Sequence, residues 1–332
     1  MTHSVAVFGA AGYTGALSAR LLHRHPSFDL QTVTARSDVG RRLDDLYPHH
    51  RVPLELQELD LDRHAAVDAA VVAYPHGAAA ELVGELHQRG VKVVDLSADF
   101  RLRDAATYEE WYRPHPEPGL LGAAVYGLPE RYREQIREAE IVANPGCYPT
   151  ATLLALAPLA RAGLLGEVVV DAKSGASGAG RAASDKTHFV TVDENVSAYG
   201  VPRHRHTPEI EQELAQLGAP IRITFVAHLL PLDQGELVSC YVTVPDAAAP
   251  IEVGDLYREM YEREPFVELV QSPPSVRDVR ETNLCRISHH ADERTGRLIV
   301  FAVIDNLWKG AASQAIQNLN LMFGLAEGEG IS

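Results

Sequence analysis

VAVFGAAGYTGALSARLL, residues 5–22, reads as a strand, a tight loop and a helix in direct succession. The apolar run up to Phe8 suits a strand buried on both faces. Gly9, Gly12 and Gly15 follow at G-x-x-G-x-x-G spacing, inside the strand–loop–helix context that a phosphate loop requires. Gly9 allows the tight turn, Gly12 lets a pyrophosphate approach the backbone, and Gly15 lets helix and strand pack closely. Tyr13 and Thr14 open the helix, whose N-terminus offers backbone N–H groups and a positive dipole end to an anion. A glycine-rich turn with no ligand is the competing reading. The flanking strand and helix weigh against it.

Outward from that loop, strands and helices alternate. LQTVTARS, DAAVVAYPHG, VKVVDLSADF and AEIVANPG read as strands, and AAAELVGELHQRG as a helix between two of them. Continuous apolar strands alternating with helices indicate an α/β domain, a Rossmann-type doubly wound parallel sheet. After Gly166 the pattern changes. EVVVDAKSG, IRITFVAHLLPLD, GELVSCYVTVPD and GRLIVFAVIDN read as strands of a mixed or antiparallel sheet, beside the helix IEVGDLYREMYERE. The sequence therefore predicts a dinucleotide-binding domain over residues 1–147 and an α+β domain with a mixed sheet over 148–305. The chain ends in KGAASQAIQNLNLMFGLA, read as an amphipathic helix with Ala315, Ile316, Leu319 and Met322 on one side.

The end of the second strand distinguishes the two nicotinamide cofactors. An acidic residue there would bind the ribose 2′-hydroxyl of NAD. Arg36 and Ser37 stand at that place, and an arginine and a hydroxyl suit a 2′-phosphate. NADP(H) is the expected cofactor. Asp38 would reach the ribose only on a one-residue shift of register.

The 332 residues carry 30 Lys and Arg against 45 Asp and Glu, a formal charge of -15. That surplus argues against nucleic acid and anionic membranes as partners. No apolar run approaches the roughly 20 residues of a membrane span. The start of the chain has no basic segment followed by an apolar one. The three cysteines, Cys147, Cys240 and Cys285, make neither a metal spacing nor a disulfide framework. A cytoplasmic protein without a bound metal is expected. Cys240 falls in an alternating strand and reads as structural; Cys285 has no motif around it.

Cys147 is different. In IVANPGCYPTATLLALAPLARAG it follows an Asn-Pro-Gly turn, and helical spacing of Leu153, Leu154, Leu156 and Leu159 begins just after it. Pro149 fits the first turn of a helix. Cys147 thus sits at a helix N-terminus, where backbone N–H groups stabilise a thiolate or a substrate oxyanion. A small buried thiol is the alternative. The expected domain boundary just after it would put this thiol in an interdomain cleft. Of the 15 histidines, most read as surface or structural. His204 and His206 precede a helix in YGVPRHRHTPEIEQEL, with Thr207 as the expected N-cap and Pro208 as the first helical residue.

GAAGYTG, VDLSADFR, NPGCYPTATLLAL, KSGASGAG, HRHTPEI and DNLWKGAASQAIQNLN occur in this order along the chain. Together they resemble the N-acetyl-gamma-glutamyl-phosphate reductases of arginine biosynthesis, relatives of aspartate-semialdehyde dehydrogenase and, more distantly, of glyceraldehyde-3-phosphate dehydrogenase. The resemblance implies NADPH-dependent reduction of an acyl phosphate through a cysteine thioester. It makes Cys147 the nucleophile and His206 the acid/base, with Arg101 and His204 binding substrate or phosphate. Ser177, Gly178 and Asn306 would lie at the nicotinamide end of the cofactor, and Lys309 would serve the same site or only begin the helix. Residues 306–332 would then return to the first domain. Homodimers or homotetramers are usual in this superfamily. A lysine-pathway branch acting on carrier-protein-linked substrates carries a motif more like GAGCNAT, so NPGCYPT favours the arginine enzyme. A non-catalytic NADP-binding regulatory protein would need neither Cys147 nor His206.

Overall fold

A computed structural model describes residues 2–245 and 252–331, which fall into two compact units. The first runs up to Gly146 and resumes at Ala311; the second is Cys147–Gly310. Asp246, Ile251 and Ser332, which end or begin segments expected from sequence, lie outside the described residues.

The first unit is built on a six-stranded parallel sheet. Its strands are β1 (His3–Phe8), β2 (Phe28–Thr34), β3 (Ala69–Val72), β4 (Lys92–Asp95), β5 (Ala124–Tyr126) and β6 (Ile141–Ala143), in the order β2-β1-β3-β4-β6-β5. From β1 the chain first builds outward to β2, then returns to the other side of β1 for β3. The loop after β1 therefore lies at the topological switch point, where open α/β sheets bind ligands. Val5 to Phe8 and all of β3 are buried, as strands covered on both faces must be. The sequence pattern missed β5, whose three residues are too short to show a period.

The C-terminal helix Ala312–Met322 belongs to this unit and packs on helices Tyr13–His23 and Pro129–Glu138 and on β4. It is not amphipathic in the expected sense, because every residue in it is buried. Its polar residues meet internal partners. Asn318 Nδ2 donates to Gly127 O at 2.9 Å and to Asn144 Oδ1 at 3.0 Å. Asn320 Nδ2 donates to the carbonyls of Glu327 and Glu329 at 3.2 and 2.9 Å. These bonds offset part of the cost of burying the amides, although the Asn318 and Asn320 side-chain oxygens themselves find no partner among the described residues.

The second unit holds a mixed seven-stranded sheet of β7 (Val168–Gly175), β8 (Ser197–Tyr199), β9 (Ile223–Leu230), β10 (Glu236–Thr243), β11 (Val267–Leu269), β12 (Cys285–Asp292) and β13 (Arg297–Ile304). The order is β11-β12-β13-β10-β7-β9-β8, with β7–β9 and β11–β12 parallel and the other pairs antiparallel. Helix Cys147–Arg161 packs on β10 and β13 and is buried from Tyr148 to Ala160. Pro158 inside it cannot donate to the carbonyl of Leu154. The Tyr261 hydroxyl donates to that oxygen instead, at 2.7 Å, and Tyr257 donates to Ala155 O at 2.6 Å. A phenol thus replaces the lost helical bond, and the helix continues through the proline.

Candidate active site

The glycine loop of the first unit has the properties its spacing implied. Gly9 has φ +94°, and a Cβ there would stand 2.5 Å from Ala73 O. A Cβ on Gly15 would stand 2.3 Å from Gly9 O, so helix and loop touch through bare backbone. At Gly12 a Cβ would meet only Gly9 O, at 3.8 Å. Gly12 is the N-cap of helix Tyr13–His23 and has no side chain to satisfy the first N–H groups. The three glycines thus leave an open cradle of backbone donors, which fits a pyrophosphate.

Arg36 and Ser37 are exposed just beyond β2, and the Arg36 guanidinium lies 4.8 Å from the centroid of the Tyr74 ring. The stacking holds the guanidinium while leaving its charge available. Asp38, in the left-handed region at φ +62°, is ion-paired with Arg41 at 3.0 Å. Its carboxylate is therefore already engaged with a cation.

Arg101 also belongs to this unit, yet it is only 5% exposed. Its Nε donates to Asn144 O and one terminal nitrogen to Leu96 O, both at 2.8 Å. The guanidinium thus braces the turn that leads into Cys147. Two of its donors are taken by main-chain carbonyls.

In the second unit Cys147 is the first residue of its helix and is part-exposed, whereas Cys240 and Cys285 are fully buried. Burial pushes the Cys240 thiol up to about 12. Gly310 makes room for Cys147, since a Cβ on it would come within 2.8 Å of the cysteine Cβ. Both predicted histidines gather around the next residue, Tyr148. Its ring centroid is 5.6 Å from His204 and 5.9 Å from His206. His206, rather than Thr207, is the N-cap of helix Thr207–Ala215. The cap shifts by one residue because His206 takes its place in a turn stabilised from behind: its N–H donates to His204 Nδ1 at 3.2 Å.

That bond holds His204 against the turn that leads into the helix. Its ring also lies against Tyr199 and Phe225, and burial lowers its pKa to about 4, with Arg205 adding to the effect. At neutral pH it is uncharged, so it lacks the charge that would draw a phosphate. Asn306 and Ser177 do meet: Asn306 Nδ2 donates to Ser177 Oγ at 3.0 Å, and its Oδ1 accepts from Gly235 N at 2.7 Å. β7 runs to Gly175, and Ala176–Ala179 form a 3₁₀ turn containing Ser177 and the exposed Gly178.

Two residues escaped sequence reasoning. Gly310 is one. The other is Glu236, fully buried at the start of β10, with the Cys147 thiol as its neighbour. Its signal was present in the alternation. Glu236, Val238, Cys240 and Val242 share the buried face of one strand, where an acid is out of place.

Residues 4–139 match the semialdehyde dehydrogenase NAD binding domain and residues 147–306 the semialdehyde dehydrogenase dimerisation domain. Solved structures with this fold include aspartate semialdehyde dehydrogenase II of Vibrio cholerae complexed with ASA and the Candida albicans enzyme with NADP. Their TM-scores are 0.73 and 0.72 at 20% and 14% identity, covering 98% and 97% of this chain and 99% of each of theirs. A parallel dinucleotide-binding sheet, followed by a mixed-sheet unit that opens on a part-exposed cysteine, places the chain among enzymes of the semialdehyde dehydrogenase class. Within that class, the N-acetyl-gamma-glutamyl-phosphate reductase of Desulforudis audaxviator is 49% identical, over 98% of this chain and 97% of its own length. That of Rubrobacter xylanophilus is 48% identical over 99% and 98%. The chain belongs to the N-acetyl-gamma-glutamyl-phosphate reductase family.

Proposed function

We propose that the chain reduces N-acetyl-L-glutamyl 5-phosphate to N-acetyl-L-glutamate 5-semialdehyde, releasing phosphate, as a cytoplasmic step of arginine biosynthesis that uses NADPH. The observation that carries this reading is the setting of Cys147: a part-exposed thiol on the first residue of a long buried helix, with His206 packed beside the adjacent Tyr148. The Cys147 sulfur attacks the acyl carbon, the C–O bond to phosphate breaks, and a thioester remains. N–H groups at the helix start hold the oxyanion formed on the way. Gly9, Gly12, Gly15, Tyr13 and Thr14 hold the cofactor pyrophosphate, and Arg36 with Ser37 takes the 2′-phosphate. Ser177, Gly178 and Asn306 line the nicotinamide end. NADPH, when bound, supplies the hydride that reduces the thioester. Collapse of the resulting thiohemiacetal frees the aldehyde and the sulfur, with His206 serving as general acid and base. Arg101 shapes the turn before Cys147 and lends positive charge to the leaving phosphate, while His204 orients His206. The mixed-sheet unit mediates a homodimer or homotetramer.

The reverse reaction tests the proposal. N-acetylglutamate semialdehyde, phosphate and NADP are mixed with the protein, and the absorbance of reduced nicotinamide is followed. Aspartate semialdehyde and a carrier-protein-linked semialdehyde run alongside. Turnover with the acetylated substrate alone supports the reading. Preference for either comparator reassigns the substrate, and no turnover with any of them returns the chain to a binding role.

A further inference from the structure

Glu236 is an acid where the fold offers it almost nothing. It is 0% exposed, and neither carboxyl oxygen has a hydrogen-bond partner of good geometry. Its register partners on the neighbouring strands are Ile304 and Ser174. Among the described residues, the ionisable groups that act on it include the Cys147 thiol and Tyr148 at the helix start, Tyr199 on β8, and Asp305 just past β13. A buried, unpaired acid costs stability. The backbone just before it is nonetheless held in place, because Gly235 N donates to Asn306 Oδ1 at 2.7 Å.

We infer that the Glu236 carboxyl is the proton partner of the Cys147 thiol. The inference rests on reading Cys147 as the nucleophile, and it gives the thiol a proton acceptor separate from His206. As sulfur attacks the acyl phosphate, the S–H bond breaks and its proton passes to the Glu236 carboxylate. The S–C bond forms, the C–O bond breaks, and phosphate leaves with its electron pair, taking its own proton from water. After reduction the thiohemiacetal C–S bond breaks towards sulfur, and the thiolate recovers its proton from Glu236. The carboxylate is regenerated, and the one proton consumed overall is that on phosphate. Burial pushes the Glu236 carboxyl up to about 8, a range in which a group both takes up and gives back a proton near neutral pH. His206 remains available for the substrate oxygen.

The test is the pH dependence of Cys147 carboxamidomethylation by iodoacetamide, followed by peptide mass mapping in the wild type, Glu236→Gln and Glu236→Asp, together with turnover. A carboxylate beside the thiol opposes its ionisation, so the wild-type rate rises in two coupled steps. Glu236→Gln should show one step and react about tenfold faster near pH 9. Its turnover should fall by about tenfold or more. A more reactive thiol in a slower enzyme is a combination that mere loss of packing does not produce. Glu236→Asp, which keeps a carboxyl, should retain two steps. Superimposable alkylation profiles for wild type and Glu236→Gln overturn the inference, as does a single step in Glu236→Asp. Alkylation needs no substrate, so a failure of the reductase reading appears separately, as a wild type that does not turn over.

Discussion

The amide of Asn306 and the hydroxyl of Ser177 are joined by a 3.0 Å hydrogen bond between residues 129 positions apart in sequence. The other end of the same amide receives the N–H of Gly235, one residue before Glu236. One side chain therefore ties the 3₁₀ turn after β7 to the start of β10. Asn306→Ala leaves a buried N–H and a hydroxyl without their partner, at a cost of about 1–3 kcal/mol. Ser177→Ala removes only one of the two bonds and should cost less. Urea unfolding of the two variants checks the order. Equal costs would show that the Gly235 contact contributes nothing.

Gly12 and Gly15 separate cofactor binding from folding. Ala at position 15 would drive its methyl to 2.3 Å from a backbone oxygen that cannot step aside. Gly15→Ala should lose about 1–3 kcal/mol of stability and cofactor affinity with it. Ala at position 12 meets nothing closer than 3.8 Å. Gly12→Ala should unfold like wild type yet bind NADPH at least about tenfold more weakly, or about 1.4 kcal/mol. Thermal unfolding and fluorescence titration distinguish the two. Wild-type affinity in Gly12→Ala would show that no phosphate approaches that backbone.

Arg36 should set the cofactor preference. Its guanidinium is exposed and stacked near Tyr74, and the nearby acid, Asp38, is paired with Arg41. NADPH should bind about tenfold or more tightly than NADH, a difference of about 1.4 kcal/mol, and Arg36→Ala should remove most of it by weakening NADPH alone. Equal affinities in the wild type would count against the assignment.

Five of the six strands of the first unit, and β7, β9, β10 and β13 among the five eight-residue strands of the second, were legible because period and apolar content report burial directly. What escaped detection had no period to show or depended on distant partners. Ala124–Tyr126 and Val267–Leu269 are three-residue strands held by their neighbours. Cys285 begins a strand because it pairs with Ile304 on β13, which no local pattern announces. The C-terminal helix looked amphipathic because glutamine and asparagine ordinarily face water. Gly127, Asn144, Glu327 and Glu329 supply its partners from elsewhere in the chain. For the proposed site, residue types and order singled out Cys147 and the histidine pair. The neutral state of His204, the bracing by Arg101 and the acid beside the thiol depend on burial, which a sequence motif does not carry.

The two histidines should separate kinetically. His206→Asn removes the proposed acid/base and should lower turnover by about 10²- to 10⁴-fold. His204 accepts the His206 N–H and is neutral near pH 7. His204→Asn should lower turnover less, through a loosened His206, and should leave the apparent affinity for phosphate in the reverse assay little changed. A large rise in the phosphate KM for His204→Asn would restore a direct phosphate-binding role.

Glu236 also predicts how stability depends on pH, independently of catalysis. Its ordinary pKa of 4.5 is raised to about 8 in the fold. Between those values the folded chain retains a proton that the unfolded chain releases. Unfolding is therefore favoured as pH rises. The contribution of the neutral carboxyl is fully present below pH 4.5 and is lost progressively up to about 8. Asp95, raised to about 7 by burial and by Asp99, acts in the same direction, while His50 and His204, lowered to about 4, act oppositely in acid. Those groups are common to wild type and Glu236→Gln, so they cancel in the difference between the two proteins. Glu236→Gln should gain on wild type as the pH rises from 5 to 8, by about 1–3 kcal/mol, the cost of stranding a buried polar group. Urea midpoints of both proteins across that range measure it. A difference that stays constant with pH would mean that Glu236 does not change its protonation on folding.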